Sequence, residues 1–195
     1  MTAGEFLGFS VPAFAGAMTA DAPEVVAVVS ILAAGGVEGA ALGLAQASVL
    51  TRAVPALDGR RWVYATSVAA VVAYAIGLLP SIAANLLPGW PIWLLAGAGL
   101  ILGTVLLLTI GTAQWLVLRR TMPRSASWIV TTAAAWIVGL SVFLAFATPL
   151  WHPGQPMVVT VLIGLVAGLL MAVSTSIVTG YAVRRLVDRQ EQGTV

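Results

Sequence analysis

The chain has 195 residues, of which 60% are hydrophobic and 8% charged; an ordinary soluble domain carries roughly 25% charged residues. Nine arginines, no lysine and seven acids leave a formal charge of +2, which is a small arginine excess and not a nucleic-acid surface. With no cysteine and one histidine, disulfides, thiolate nucleophiles, Cys-ligated metals and multi-histidine zinc sites are excluded.

Residues 4–20 are apolar but short, contain Pro12, and are not preceded by the positive charge of a signal peptide. They read as a short, kinked first crossing, with a re-entrant or surface segment as the alternative. Asp21-Ala22-Pro23-Glu24 reads as a turn into a new helix, with Asp21 as its cap and Pro23 in its first turn. The second helix is expected over about 25–50 and carries Glu38 near its middle. A polar loop, residues 52–61, holds Pro55, Asp58 and Gly59. The third helix follows over about 62–87, with Pro80 placed to kink or unwind its end. The Pro/Gly turn 87–91 leads to a fourth helix over about 92–118. The loop 119–124 precedes a fifth helix over about 127–149. A further Pro/Gly turn, 151–156, precedes a sixth over about 157–183, and residues 188–195 read as a polar tail that frays.

The arginines fall in three clusters: Arg52, Arg60 and Arg61; Arg119, Arg120 and Arg124; Arg184, Arg185 and Arg189. With six crossings all three lie on one face, and the positive-inside bias makes that face cytoplasmic, together with both termini. Their expected role is to set topology and bind anionic headgroups. Trp62, Trp115 and Trp128 near one boundary, and Trp90, Trp93 and Trp151 near the other, read as interfacial belts; Trp136 should lie deeper.

Three stretches share one layout: Gly35 to Arg52, Gly103 to Arg120 and Gly168 to Arg185 each set a glycine about 17 residues before an arginine, close to one bilayer crossing. Ala45-Gln46 aligns with Ala113-Gln114, and Thr179 takes the glutamine position in the last copy. Arg61-Trp62-Val63 similarly echoes Ser127-Trp128-Ile129, with Thr66 against Thr132. The chain therefore reads as three hairpins, about 4–50, 62–118 and 127–183, in a single membrane domain spanning 1–187. Glycines spaced on helices two (35, 39, 43), four (99, 103, 111) and six (164, 168) predict that the even helices form an inner layer.

Glu38 is the sharpest chemical signal. A carboxylate in hydrocarbon must face a partner, face water, or be protonated. It reads as a proton, cation or ligand site, or else as packing glue, with Gln46, Gln114 or Thr179 as expected partners. Gln46 and Gln114 read as interhelical hydrogen-bonding groups, or as amides narrowing an inner vestibule. Thr104, Thr109, Thr112, Ser174, Thr175 and Ser176 should bond back to their own helices. His152 reads as a solvated loop residue. No catalytic constellation or metal motif is visible, and no enzyme, cofactor or nucleic-acid partner is expected.

The phrase GTAQWLVLRRTMPRSASWIV, with its echo GLAQASVLTRAVP, resembles a group of small polytopic membrane proteins of high-GC bacteria that repeat an AQW-V-LR phrase at hairpin ends. The lysine-free, Arg/Ala/Gly-rich composition agrees with such a source. The resemblance implies a multi-pass protein of a bacterial plasma membrane and brings no activity with it. In size and helix count alone, the chain is also similar to the six-helix substrate-binding subunits of energy-coupling vitamin importers. The expected protein is an all-α transmembrane bundle with six crossings in the lipid bilayer. It acts as a small transport or ligand-binding component centred on Glu38, or as an accessory subunit packed against another membrane protein or a second copy of itself.

Overall fold

A computed structural model describes residues 2–19, 21–122, 124–152 and 154–192. Pro123 and Pro153 of two expected turns, and residues 193–195 of the expected tail, lie outside the described residues, as does the side chain of Arg189. The described residues fold into six α-helices: α1 (Thr2–Met18), α2 (Glu24–Ala53), α3 (Gly59–Ile82), α4 (Ile92–Leu118), α5 (Ser127–Ala147) and α6 (Met157–Gln192). Five helical stretches are long and apolar enough to cross a bilayer: α2, residues 59–86, α4, α5 and residues 157–186. At 17 residues α1 is not among them.

Local chemistry explains most boundaries. Asp58 is the N-cap of α3 and accepts a hydrogen bond from the Arg61 backbone N–H at 3.1 Å, satisfying one donor of the open first turn. Pro80 lies inside α3, which unwinds into a 3-10 turn (Ala84–Leu86) soon after it. Gly89 and Gly154, at φ 89° and 78°, supply the left-handed residue of the two Pro/Gly turns at the end away from the arginines. Two expectations are corrected. Asp21 does not cap α2: Pro23 holds the cap position and no side chain caps that helix. Helix α6 also does not stop at the arginines but runs on through Gln192.

Consecutive helices pack against one another in chain order, and α1 closes the ring against α6. The expected inner layer of even helices is not present. Gly35, Gly39 and Gly43 do form a seam, but against α3: a Cβ on Gly39 would stand 2.6 Å from Ala70 Cβ and 2.7 Å from Ser67 Cα. Gly99, Gly103 and Gly168 meet nothing within 4 Å. The reason is physical: lipid is as apolar as a helix neighbour, so a glycine ridge need not mark the inward face.

The ring is tight at one end and splayed at the other. Ala47, Leu50, Val54, Leu57, Trp62, Leu118, Met122, Trp128, Ala182 and Leu186 form one core cluster. It draws together the ends of α2, α4 and α6, the starts of α3 and α5, and two loops. The three arginine clusters are attached to those same segments and share that end. Toward the other end, no residue of α2 before Ala34, of α3 beyond Ala73, of α4 before Ile110 or of the described α6 before Ala167 is buried.

Candidate functional site

Glu38 lies about 21 Å of helix rise from Arg52, and Tyr74 about 20 Å from Arg61. The hairpin between α2 and α3 thus sets them at one depth. The Tyr74 ring lies over Gly35, where a Cβ would collide with it. From there its hydroxyl donates to Glu38 Oε2 at 2.6 Å. Ser67 tightens the same seam by donating to the Gly36 carbonyl at 2.6 Å. Helix α1 covers the acid from the other side, with Gly8 set against the Glu38 backbone and Cγ. Glu38 is 5% exposed, and among the described residues its Oε1 has no hydrogen-bond partner.

Both residues line an open cavity of about 550 Å³ whose walls come from α1 to α5. One wall carries Glu38 and Tyr74; the other carries Leu106 and Ile110 of α4 and Trp136 and Leu140 of α5. Carboxylate, phenol and indole are the polar groups of an otherwise aliphatic lining. The volume is within the roughly 300–1,000 Å³ of pockets that hold small organic molecules. Gly77 and Leu140 belong to both the lining and the exposed surface, so the cavity opens into the splayed half.

Toward the arginines, about 12 Å of helix rise from Glu38, the ring is closed by a polar lattice. The Gln114 side-chain amide donates to Gln46 Oε1 at 2.7 Å and to Thr66 Oγ1 at 3.1 Å. Trp62 Nε1 donates to Gln46 Oε1 at 3.2 Å, and Trp128 Nε1 donates to Gln114 Oε1 at 3.0 Å. The two indoles meet edge to face, with centroids 5.6 Å apart. Gln114, Thr66 and Trp62 are fully buried and Trp128 nearly so. Each amide accepts from the tryptophan that opens the next helix. The backbones approach closely beside each: a Cβ on Gly43 would lie 2.9 Å from Val63 Cα, and one on Gly111 3.1 Å from Ile129 Cα.

The expected site residues separate into three places. Glu38 faces the cavity, but its partner is Tyr74 and not Gln46, Gln114 or Thr179. Gln46 and Gln114 form the buried floor and do not line a vestibule. Thr179 is buried and its hydroxyl donates to the Thr175 carbonyl of its own helix at 2.8 Å, outside the lattice. Thr104, Thr109, Ser174 and Thr175 bond back to their helices in the same way. Arg52, Arg60, Arg61, Arg119, Arg120, Arg124, Arg184 and Arg185 are exposed at the closed end. Arg61 pairs with Asp58 at 3.1 Å, Arg119 lies over the Trp115 ring, and Arg185 over Tyr181.

Two tryptophan assignments are corrected. Trp62 and Trp128 have the height of an interfacial belt but point inward, because each indole N–H finds a buried amide acceptor. Trp90, Trp93 and Trp151 are exposed, and Trp136 lies deep, in the cavity wall. Tyr74 is the residue of the candidate site that sequence reasoning missed. Its signal was available: counted from the flanking arginines, it stands at the same depth as Glu38.

Five apolar spans, a ring of helices and a buried acid beside a cavity define a polytopic helical membrane protein with an intramembrane pocket. Comparison of the chain with known protein families, characterised proteins and solved structures finds no match.

Proposed function

We propose that this is a small transport or ligand-binding component of a bacterial plasma membrane, with Glu38 as the anchor of its pocket. All six helices cross, in three hairpins, and both termini and the arginines face the cytoplasm. Helix α1 supports the sixth crossing by closing the ring between α2 and α6. The repeat is supported by matching contacts between successive units: Gln46–Trp62 with Gly43–Val63 from α2 to α3, and Gln114–Trp128 with Gly111–Ile129 from α4 to α5. Arginine clusters beside Trp115 and Tyr181 suit an anionic headgroup layer.

One observation carries the reading: a buried carboxylate faces a cavity with one oxygen unpartnered among the described residues. A packing role would leave Glu38 in a closed seam, as Gln46 and Gln114 are. The reading assigns no catalytic residue and no cofactor. Native mass spectrometry of the full chain from a mild detergent tests it. A monomer carrying one small-molecule adduct, lost on Glu38→Gln, is the expected spectrum. An adduct-free chain whose stability is indifferent to that substitution refutes the reading.

A second reading, an accessory subunit that binds no small molecule, is favoured by Gly97, Gly99 and Gly103 of α4, which meet nothing within 4 Å and leave room for another helix. A dimer or a co-purifying membrane protein in the same spectrum, without an adduct, is its signature.

A further inference from the structure

We propose that the pocket takes a lipophilic monocation: an organic cation with one positive charge and a bulky aromatic or aliphatic body. This rests on reading the cavity as a ligand site and names its ligand class. Four observations converge.

The first is charge. Glu38 is the acid of the cavity, and every described arginine side chain is exposed at the opposite end of the bundle. Among the described residues no cation balances the carboxylate, and a buried charge is stable only with a counter-charge or a proton. A single carboxylate balances a single positive charge; a dication would carry the second into apolar surroundings.

The second is the remaining acceptor. Tyr74 occupies Oε2 alone, so Oε1 is available to a ligand from within the cavity. The Tyr74 and Trp136 rings belong to the same lining, and ring faces attract cations, more strongly where water is excluded.

The third is asymmetry between the α2–α3 and α4–α5 pairs. Aligning Arg52 with Arg120 puts Leu106 at the place of Glu38, and aligning Trp62 with Trp128 puts Leu140 at the place of Tyr74. Both leucines face the cavity. The α2–α3 pair therefore offers an acid and a phenol where the α4–α5 pair offers grease at matching positions. A ligand suited to both walls is charged on one side and apolar on the other.

The fourth is the mouth. The cavity opens away from the nine arginines, in the half whose flanking turn carries Asp21 and Glu24. A cation approaching by that route meets no basic cluster, whereas an anion meets Glu38 unpaired.

The experiment uses three probes of nearly one shape on the full chain in a neutral detergent: tetraphenylphosphonium, tetraphenylborate and triphenylphosphine oxide. Binding is measured by equilibrium dialysis or calorimetry. The expected result is saturable one-to-one binding of the phosphonium, with the borate at least about 30-fold weaker and Glu38→Gln weakening the phosphonium by about 30-fold or more. The phosphine oxide should change less than about threefold between the two proteins. Phosphonium and borate binding alike, or a phosphonium affinity unmoved by Glu38→Gln, overturns the proposal. Comparing the two ions on the unaltered chain decides the matter even if the variant does not fold. Retention of the neutral oxide alone sinks the cation while leaving a ligand pocket standing. Failure of all three probes, with no adduct in the native spectrum, removes both readings together.

Discussion

The buried lattice at the closed end gives the most direct test of what holds the ring together. Gln114→Met keeps length and flexibility and deletes three hydrogen bonds: to Gln46, to Thr66 and from Trp128. Interhelical hydrogen bonds in membranes average about 0.6 kcal/mol, so the three together contribute about 2 kcal/mol. The substitution also strands the Trp128 N–H, whose acceptor is Gln114, in a site with no water access, adding about 1 kcal/mol. The expected loss is about 3 kcal/mol. Gln46→Met removes two bonds and strands the Trp62 N–H, so it should cost about 2 kcal/mol on the same reckoning. Thr104→Val, which touches only an exposed hydroxyl bonded to its own helix, should stay within about 0.5 kcal/mol of the parent. Reversible unfolding in mixed micelles of dodecyl maltoside and dodecyl sulfate, followed by tryptophan fluorescence, reads all three; Trp62 and Trp128 report from inside the lattice. A Gln114→Met loss below about 0.5 kcal/mol, or a larger loss for Thr104→Val, would show that packing alone closes the ring.

Gly39→Ala should cost about 2 kcal/mol in the same assay, because its Cβ would force α2 and α3 apart at Ala70 and Ser67; Gly99→Ala, with open space around it, should be neutral or slightly stabilising. Thr66 and Thr132 hold matching places in two hairpins but differ in partners: Thr66 donates to the Trp62 carbonyl and accepts from Gln114, while the buried Thr132 hydroxyl has no partner among the described residues. Thr66→Val should therefore lose about 1 kcal/mol and Thr132→Val should lose nothing or gain, an order that chemical denaturation can reverse or uphold. The chain lacks cysteine, so single cysteines report topology cleanly. In intact cells a membrane-impermeant maleimide should label Asn85→Cys and Gly154→Cys and spare Ala56→Cys; labelling of Ala56→Cys would invert the orientation.

The helices were legible because apolar runs, arginine pairs and Pro/Gly turns are local signals; α4 lies over the residues its apolar run predicts, Ile92–Leu118. Which way each helix faces was not. In water the apolar stripe of a helix points to the core, but in lipid both sides of a span are apolar, so composition around α4 or α6 says nothing about its neighbours. That is why Gly99 and Gly103 were read as seams, though a Cβ on either would meet nothing, and why Trp62 and Trp128 were read as belt residues and are core. Polar residues carried the usable information. Gln46, Gln114 and Glu38 all face the interior, since an unpaired amide or acid toward lipid is too costly to persist. The Tyr74 contact escaped because it joins residues 36 apart through a hairpin, and only a shared depth connects them. Thr179 was matched to the glutamines by its distance from Arg185, yet its hydroxyl donates to the Thr175 carbonyl one turn back and so satisfies itself within its own helix.

The indole–amide lattice is a stopper. A molecule lodged beside Glu38 would have at its back a layer of interlocked, buried side chains. Taken alone, the described helices form a cup with one rim, and any passage to the arginine end would need tryptophan pried from glutamine at both helix pairs in one stroke.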